Sequence, residues 1–319
     1  MSIYRNVIWF TKGIREYCKS GYEHAAKTFE SLEGVRLEGR SYMITGANSG
    51  IGKEAAMKIA SMGGIVHLVC RNEQRGQEAL KEIKTQSGSE EVHLHLLDMS
   101  QSREVHKFTK DFTESGRPLN VLINNAGCMV NTRELNEEGV EKNFATNTLG
   151  TYLLTTGLIN HLQNSESPQV ITVSSGGMLV NKLDSSDFNF EQMNPFDGTM
   201  AYSQNKRQQI EMTDHWSVQY PNIQFTTMHP GWADTPAVRN SMPDFYEKMK
   251  NRLRTTEQGA DTIVWLATSS TARKAPSGGF YQDRAPVSKH LPLAWTKSSE
   301  KERKVFTEKL ETLASKFRS

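Results

Sequence analysis

The 319 residues are enough for one large α/β domain with extensions or for two small domains. Their 38 basic and 36 acidic side chains leave a net charge of +2, which gives no ground for nucleic-acid binding, and 36% hydrophobic with 23% charged residues speaks against a disordered chain. Three cysteines, Cys18, Cys70 and Cys128, form no C-x-x-C pair and fit a reducing compartment better than a disulfide framework or a zinc site.

Residues 1–39 precede the first predicted strand. Ile3, Val7, Ile8, Phe10 and Ile14 recur at roughly helical spacing, and Arg5, Lys12, Arg15 and Lys19 add positive charge. The apolar run is far shorter than the ~20 residues of a membrane span. No small-residue cleavage site follows it, so a signal peptide is not expected, and Glu16, Glu23 and Glu30 spoil the acid-free pattern of a mitochondrial presequence. Two readings stay open. One is a helix lying on an anionic membrane surface through residues 1–20, with Tyr4 and Trp9 as interfacial anchors; the other is an extra helix packed on the domain.

From residue 40 onward, strand and helix patterns alternate. Strands are predicted at 42–45, 64–70, 92–97, 119–123, 169–175 and 223–228. Helical patterns lie between them, at about 51–62, 75–84, 103–114, 136–160 and 201–220. Residues 176–199 are polar and irregular. The pattern loosens after 231, resumes as a helix at 257–268, and closes with a short strand at 279–281. Residues 282–296 read as loop and 299–317 as a helix with Val305, Phe306, Leu310, Leu313 and Phe317 on one stripe. Continuous apolar strands alternating with helices imply a parallel sheet covered on both faces, and right-handed crossovers make it an α/β, doubly wound, Rossmann-type fold. With no repeat and no low-complexity linker, the expectation is one domain over 40–285, an N-terminal amphipathic extension over 1–39 and a C-terminal helical extension over 286–319.

The glycine turn after the first strand, Thr45-Gly46-x-x-x-Gly50-x-Gly52, has a physical logic. Gly46 lets the chain leave the strand sharply, Gly50 lets backbone approach a bulky anion, and Gly52 lets the next helix lie close to the sheet. The first-turn N–H groups of that helix then face an anion, which the helix dipole favours. Four later pieces fall at the carboxyl ends of strands or just beyond, where ligands bind in open α/β sheets. They are Asn124-Asn125-Ala126-Gly127, Ser174-Ser175, Tyr202-Ser-Gln-Asn-Lys206 and Pro230-Gly231-Trp-Ala-Asp-Thr235. Tyr202 and Lys206, at i and i+4, share a helix face, where an ammonium would lower the pKa of a phenol. His93 and His95 have no third ligand at a suitable spacing, so no metal site is expected.

Over roughly residues 40–285 this order of motifs resembles the short-chain dehydrogenase/reductase family, and the long interval between Ser175 and Tyr202 resembles its retinol-dehydrogenase-like branch. The resemblance implies hydride transfer between a nicotinamide and a carbonyl or alcohol. Tyr202 would be the general acid, Ser175 the hydroxyl on the substrate oxygen with Ser174 as its neighbour, Lys206 the ribose ligand, and Asn147 the helix residue of the proton relay. It implies cofactor contacts from Gly46, Asn48, Ser49, Gly50, Ile51 and Gly52, from Asn125, Ala126 and Gly127, and from Pro230, Gly231 and Thr235, the last at the nicotinamide carboxamide. Asp98 is placed like the family's adenine-contacting aspartate, and as a helix N-cap in the plainer reading. Pairing of two copies through the helices of 140–160 and 200–220 is also implied.

The choice of cofactor turns on the end of the second strand. An acidic residue there binds the ribose hydroxyls of NAD, whereas this chain has Arg71, 19 residues after Gly52, whose guanidinium suits a 2′-phosphate. NADP(H) is therefore expected over NAD(H). Trp232, Met242, Phe245, Tyr246 and Met249 follow the sixth strand, where they either cover an apolar substrate such as a lipid, retinoid or steroid, or pack on the domain or form an oligomer contact. The expected function is an NADP-dependent oxidoreductase, cytoplasmic or peripheral on an intracellular membrane. A nucleotide-binding scaffold with little turnover is the alternative.

Overall fold

The computed structural model describes residues 3–318; Met1, Ser2 and Ser319, the outermost positions of the two expected extensions, lie outside the described residues. The chain opens with α1 (Ile3–Lys12), a π-helical turn (Gly13–Tyr17) and α2 (Lys19–Ala25). It enters the sheet at β1 (Ser41–Thr45), followed by α3 (Gly50–Ser61), β2 (Ile65–Cys70), α4 (Glu73–Ser87), β3 (Val92–Leu96), α5 (Ser102–Glu114) and β4 (Val121–Asn124). A helical stretch begins as α6 (Lys142–Phe144), widens into a π-helical turn (Ala145–Gly150) and continues as α7 (Thr151–Gln163). Then come β5 (Gln169–Val173), α8 (Gly198–Gln219), β6 (Gln224–Met228), α9 (Pro236–Ser241), α10 (Pro243–Met249), α11 (Thr256–Thr268), α12 (Ser270–Arg273), β7 (Gly279–Gln282), β8 (Ala285–Pro286) and α13 (Glu300–Ser315).

The eight strands lie in the order β3-β2-β1-β4-β5-β6-β7-β8, parallel as far as β7, with β8 antiparallel to it. The chain runs outward one way from β1 through β2 to β3, then returns to β4 and runs the other way. This is the doubly wound sheet expected from the alternation, and its switch point lies between β1 and β4. Side-chain alternation divides the strands between two cores. Met43, Leu122, Val170 and Phe225 join Phe112, Leu158 and Trp216 on one face. Tyr42, Ile44, Ile123, Ile171 and Met228 join Ala56, Ile59 and Ile263 on the other.

Local sequence differs from the expectation in two places. The helix expected from 136 starts at Lys142, because Asn136 instead closes a tight turn: its Oδ1 accepts from the amides of Glu138 and Val140. The stretch expected as loop from 282 contains β8, which two left-handed residues, Asp283 and Arg284, turn back onto β7.

Both ends of the chain pack on the sheet domain. α13 starts with a capping box, Ser299 with Glu302, and buries Phe306, Leu310 and Ala314 in the core shared with α7 and α8. Each of the two large side chains contributes about 1.5–3 kcal/mol of burial. Tyr152 donates to Glu311, and Arg303 pairs with Glu211 of α8, so α13 lies on the outer side of both helices. At the other end Glu30 accepts from Ser269 at 2.5 Å and Thr271 at 2.9 Å, and Arg254 holds the segment around Cys18. The Arg254 guanidinium is buried, pairs with Asp283 at 2.6 and 2.9 Å, and donates to the carbonyls of Glu16 and Pro230 at 2.6 and 3.3 Å. Removing one partner of a buried pair strands the other, at about 3–5 kcal/mol. Arg254→Met is therefore expected to lower the urea midpoint by that much stability at unchanged m-value; a loss below about 1 kcal/mol, the worth of an exposed pair, would show the pair to be solvated.

Candidate active site

The cleft lies at the carboxyl ends of β1 and β4. Gly46 and Gly50 have φ of +67° and +55°, a region L side chains rarely adopt. At Gly52 the limit is space, since a Cβ would stand 2.4 Å from Asn125 Nδ2 and 2.6 Å from the Gly46 carbonyl. Asn125 donates to the Thr45 carbonyl at 2.9 Å, and Thr45 Oγ1 accepts from the amides of Asn125 and Ala126 at 3.0 and 2.9 Å. Thr45 thus joins the two strands that flank the switch point. Ser49 is the exposed N-cap residue of α3 and makes no capping bond with its side chain, so the helix presents its first-turn amides uncapped beside Asn48 and Ile51. Those amides, the two left-handed glycines and the space kept at Gly52 fit a dinucleotide pyrophosphate.

At the adenine end, Arg71 is 68% exposed beyond β2, with Nη1 3.6 Å from Asp98 Oδ2. The Asp98 carboxylate also accepts from Ser100 N and Oγ, at 2.9 and 2.8 Å. It does not cap the next helix. The N-cap of α5 is Gln101, and Glu138 receives the amides of Ser102 and Arg103 from across the loop at 2.7 and 3.0 Å.

At the other end, Ser175, Tyr202 and Lys206 come together. The Ser175 hydroxyl lies near enough to the Tyr202 phenol to act on its pKa and accepts from Gly177 N at 3.1 Å. Ser174 is buried and donates its hydroxyl to the Lys206 carbonyl at 2.9 Å, so of the pair it is Ser175 whose hydroxyl is left to face the phenol. Burial pushes the Tyr202 phenol up to about 12, the Cys128 thiol adding to this and Ser175 opposing it. Burial pushes the Lys206 ammonium down to about 8. The ammonium sits 5.4 Å from the Tyr202 ring centre and donates to the Val173 carbonyl at 2.7 Å. The phenol expected to be lowered by its neighbouring ammonium is instead raised by desolvation, and the ammonium directs a proton at a backbone carbonyl.

Asn147 lies in the π-helical turn before α7, a distortion frequent at functional sites. Its side chain accepts from Cys128 N at 2.9 Å and donates to Cys128 O at 2.8 Å, which fixes the loop containing Gly127. A Cβ on Gly127 would stand 3.2 Å from Asn147 Oδ1 and 3.5 Å from Lys206 Nζ, so the loop, the helix asparagine and the lysine surround one space. Across the cleft Thr235 faces Gly50 and caps α9 through Val238 N at 3.2 Å. Pro230 and Gly231 form the turn held by Arg254, and Gly231 has φ +75°.

Several residues of the cleft were not marked by local pattern. Thr45, Cys128 and Arg254 act through partners far along the chain. His229 is buried and accepts from Gly176 N at 2.9 Å, tying β6 to the turn after Ser175; burial, with Arg254 and Lys12 nearby, holds its pKa well below the ordinary value. Trp232 and Met249 belong to a small core with Tyr17, Cys18 and Leu253, flanked by the half-buried Phe245 and Tyr246 and by Trp9 of α1. The inserted segment 176–199 also packs inward, with Phe188 stacked on Phe144 at 4.8 Å.

Comparison with known proteins agrees with this geometry. The family model described as short chain dehydrogenase matches residues 40–244. The chain is similar to human dehydrogenase/reductase SDR family member 12, at 55% identity over 320 residues and the full length of both. It is 31% identical to human retinol dehydrogenase 11 over 253 residues, 78% of this chain and 79% of that one. Among solved structures, a short chain dehydrogenase from Escherichia coli CFT073 complexed with NADPH superposes with a TM-score of 0.64 at 21% identity, covering 78% of this chain and 98% of its own. Glycine turn, Ser-Tyr-Lys cluster and full-length similarity converge on one conclusion: the chain is a member of the short-chain dehydrogenase/reductase family of oxidoreductases.

Proposed function

We propose that the protein reduces a carbonyl, or oxidises the corresponding alcohol, with NADP(H). The observation that carries this reading is Lys206 Nζ 5.4 Å from the Tyr202 ring centre, with Ser175 near the phenol, in the same crevice as an uncapped helix N-terminus. The residues of the glycine turn from Gly46 to Gly52 would hold the pyrophosphate, Asp98 the adenine, Arg71 a 2′-phosphate and Lys206 the nicotinamide ribose. Asn125, Ala126 and Gly127, with Pro230, Gly231 and Thr235, would flank the nicotinamide. When bound, the cofactor supplies the hydride. The chain supplies the rest: Ser175 holds the substrate oxygen, Tyr202 gives it a proton, and Lys206 and Asn147 complete the relay that restores that proton. A phenol held up near 12 carries its proton at neutral pH, which suits donation during reduction.

For the substrate, the relatives named retinol dehydrogenases support an apolar alcohol or aldehyde. The expected pairing of two copies through the helices of 140–160 and 200–220 meets α13, which a second copy would have to displace or pack upon.

Three outcomes are expected. Cofactor fluorescence titration should show tighter binding of NADPH than NADH, and Arg71→Glu should weaken NADPH by about tenfold or more; preference for NADH would remove the phosphate role of Arg71. Tyr202→Phe should lower kcat for carbonyl reduction by about 100-fold or more while leaving NADPH affinity within about twofold; cofactor binding with no turnover by the unaltered chain across carbonyl classes would favour the scaffold reading. As pH rises through about 8, Lys206 loses its charge, and kcat/KM for reduction should fall. A profile flat to about pH 10, the ordinary lysine range, would detach Lys206 from the reaction.

A further inference from the structure

α1 is packed inside out. Ile8 and Trp9 rest against the domain, Arg5 turns inward to donate to the Val180 carbonyl at 3.3 Å, and Lys12 pairs with Glu16. Ile3, Val7 and Phe10, spaced along one helical stripe, face outward with 82%, 56% and 47% of their surface exposed. An ordinary surface helix shows the reverse.

A second segment continues this face. Leu291 and Ala294 are buried and Arg207 donates to the Lys289 carbonyl at 2.9 Å, so the loop is anchored from beneath. Between and after these anchors Leu293 and Trp295 point outward, 77% and 83% exposed. Both have φ of +54°, where L side chains are seldom found. Tyr4 of α1 donates to the Pro292 carbonyl at 3.1 Å, which joins the two segments. Of ten large apolar side chains exposed among the described residues, six lie here: Ile3, Tyr4, Val7, Phe10, Leu293 and Trp295. A soluble surface scatters such side chains singly; a joined group marks an interface.

The charges say with what. From residue 3 to 15 the chain carries Arg5, Lys12 and Arg15 and no acid, and from 284 to 299 it carries Arg284, Lys289 and Lys297 and no acid. Lys12, Arg284 and Lys289 are paired within the domain, whereas Arg15 and Lys297 are exposed and free of ion pairs among the described residues. Aliphatic and aromatic side chains with a rim of cations and no carboxylate of their own suit the interfacial layer of an anionic bilayer, where tryptophan and tyrosine also partition. Among the described residues no helix is long and apolar enough to cross a membrane. We infer that α1 and the loop 292–297 together form a docking face by which the protein lies on an anionic lipid bilayer without spanning it. Phe10 and Trp9 touch Trp232, which follows the nicotinamide-side turn, so this face adjoins the cleft. Delivery of an apolar substrate from the bilayer would rest on the function proposed above; docking itself does not.

The test is flotation of the full chain with vesicles of phosphatidylcholine alone or enriched in phosphatidylserine, beside two surface variants, Ile3→Ser/Val7→Ser and Leu293→Ser/Trp295→Ser. NADPH fluorescence on the same samples reports the cofactor cleft separately. The unaltered chain should float with the phosphatidylserine vesicles and less so at high salt, and each variant should lose about tenfold in partition while keeping its thermal midpoint and its NADPH titration. Failure of the unaltered chain to float, or equal flotation of both variants, would overturn the proposal. So would a concentration-dependent dimer abolished by the variants in the absence of lipid binding, because the face would then belong to a second copy.

Discussion

A buried guanidinium without partners is untenable, and Arg254 is buried. Its donors are shared among the Asp283 carboxylate at the β7–β8 turn, the Pro230 carbonyl after β6, and the Glu16 and Cys18 carbonyls before the sheet. Three segments far apart in sequence therefore close on one side chain, and none can take its place unless the others do. The requirement reaches into the cleft: a Cβ on Gly231 would stand 2.3 Å from Arg254 Nε, so the glycine of the turn after β6 is also a consequence of an arginine further along the chain. The N-terminal segment is accordingly part of the wall behind the turn at Pro230 and Gly231.

Burial also sets the chemistry, in opposite senses at two neighbouring groups. Low dielectric disfavours charge on both, raising the phenol of Tyr202 and lowering the ammonium of Lys206. The phenol keeps its proton, and the cation is brought to the edge of the physiological range. A lone Tyr-x-x-x-Lys on an exposed helix would do neither, since water would screen both changes.

What the sequence disclosed was local. The parallel strands announced themselves as runs buried on both faces, such as residues 42–44, and the glycine turn by its spacing. Tyr202 and Lys206 share a helix face by their separation alone. What it concealed depended on partners far along the chain. Nothing near Trp232 indicates that it packs against Trp9, Phe10 and Tyr17, and nothing near α1 indicates which of its faces turns inward. Both readings of residues 1–20 began from the apolar spacing at Ile3, Val7, Ile8 and Phe10. The structure divides that set, with Ile8 packed, Ile3 and Val7 outward, and Phe10 half-exposed with one side of its ring on Trp232, a partition that needs the tertiary contact to decide. The direction of the Lys206 proton was hidden for the same reason, because its acceptor is a backbone oxygen on another element.

The hydroxyl of Thr45 has room for one donated and two accepted hydrogen bonds. It accepts from Asn125 and Ala126 and lies 3.5 Å from the Ile123 carbonyl. That oxygen is saturated. It behaves as a rivet between the two halves of the doubly wound sheet at the point where the winding reverses, with no lone pair left for a visiting ligand to win. Valine, nearly the same shape, would leave two amides bare at the floor of the cleft, whereas serine would keep the joint.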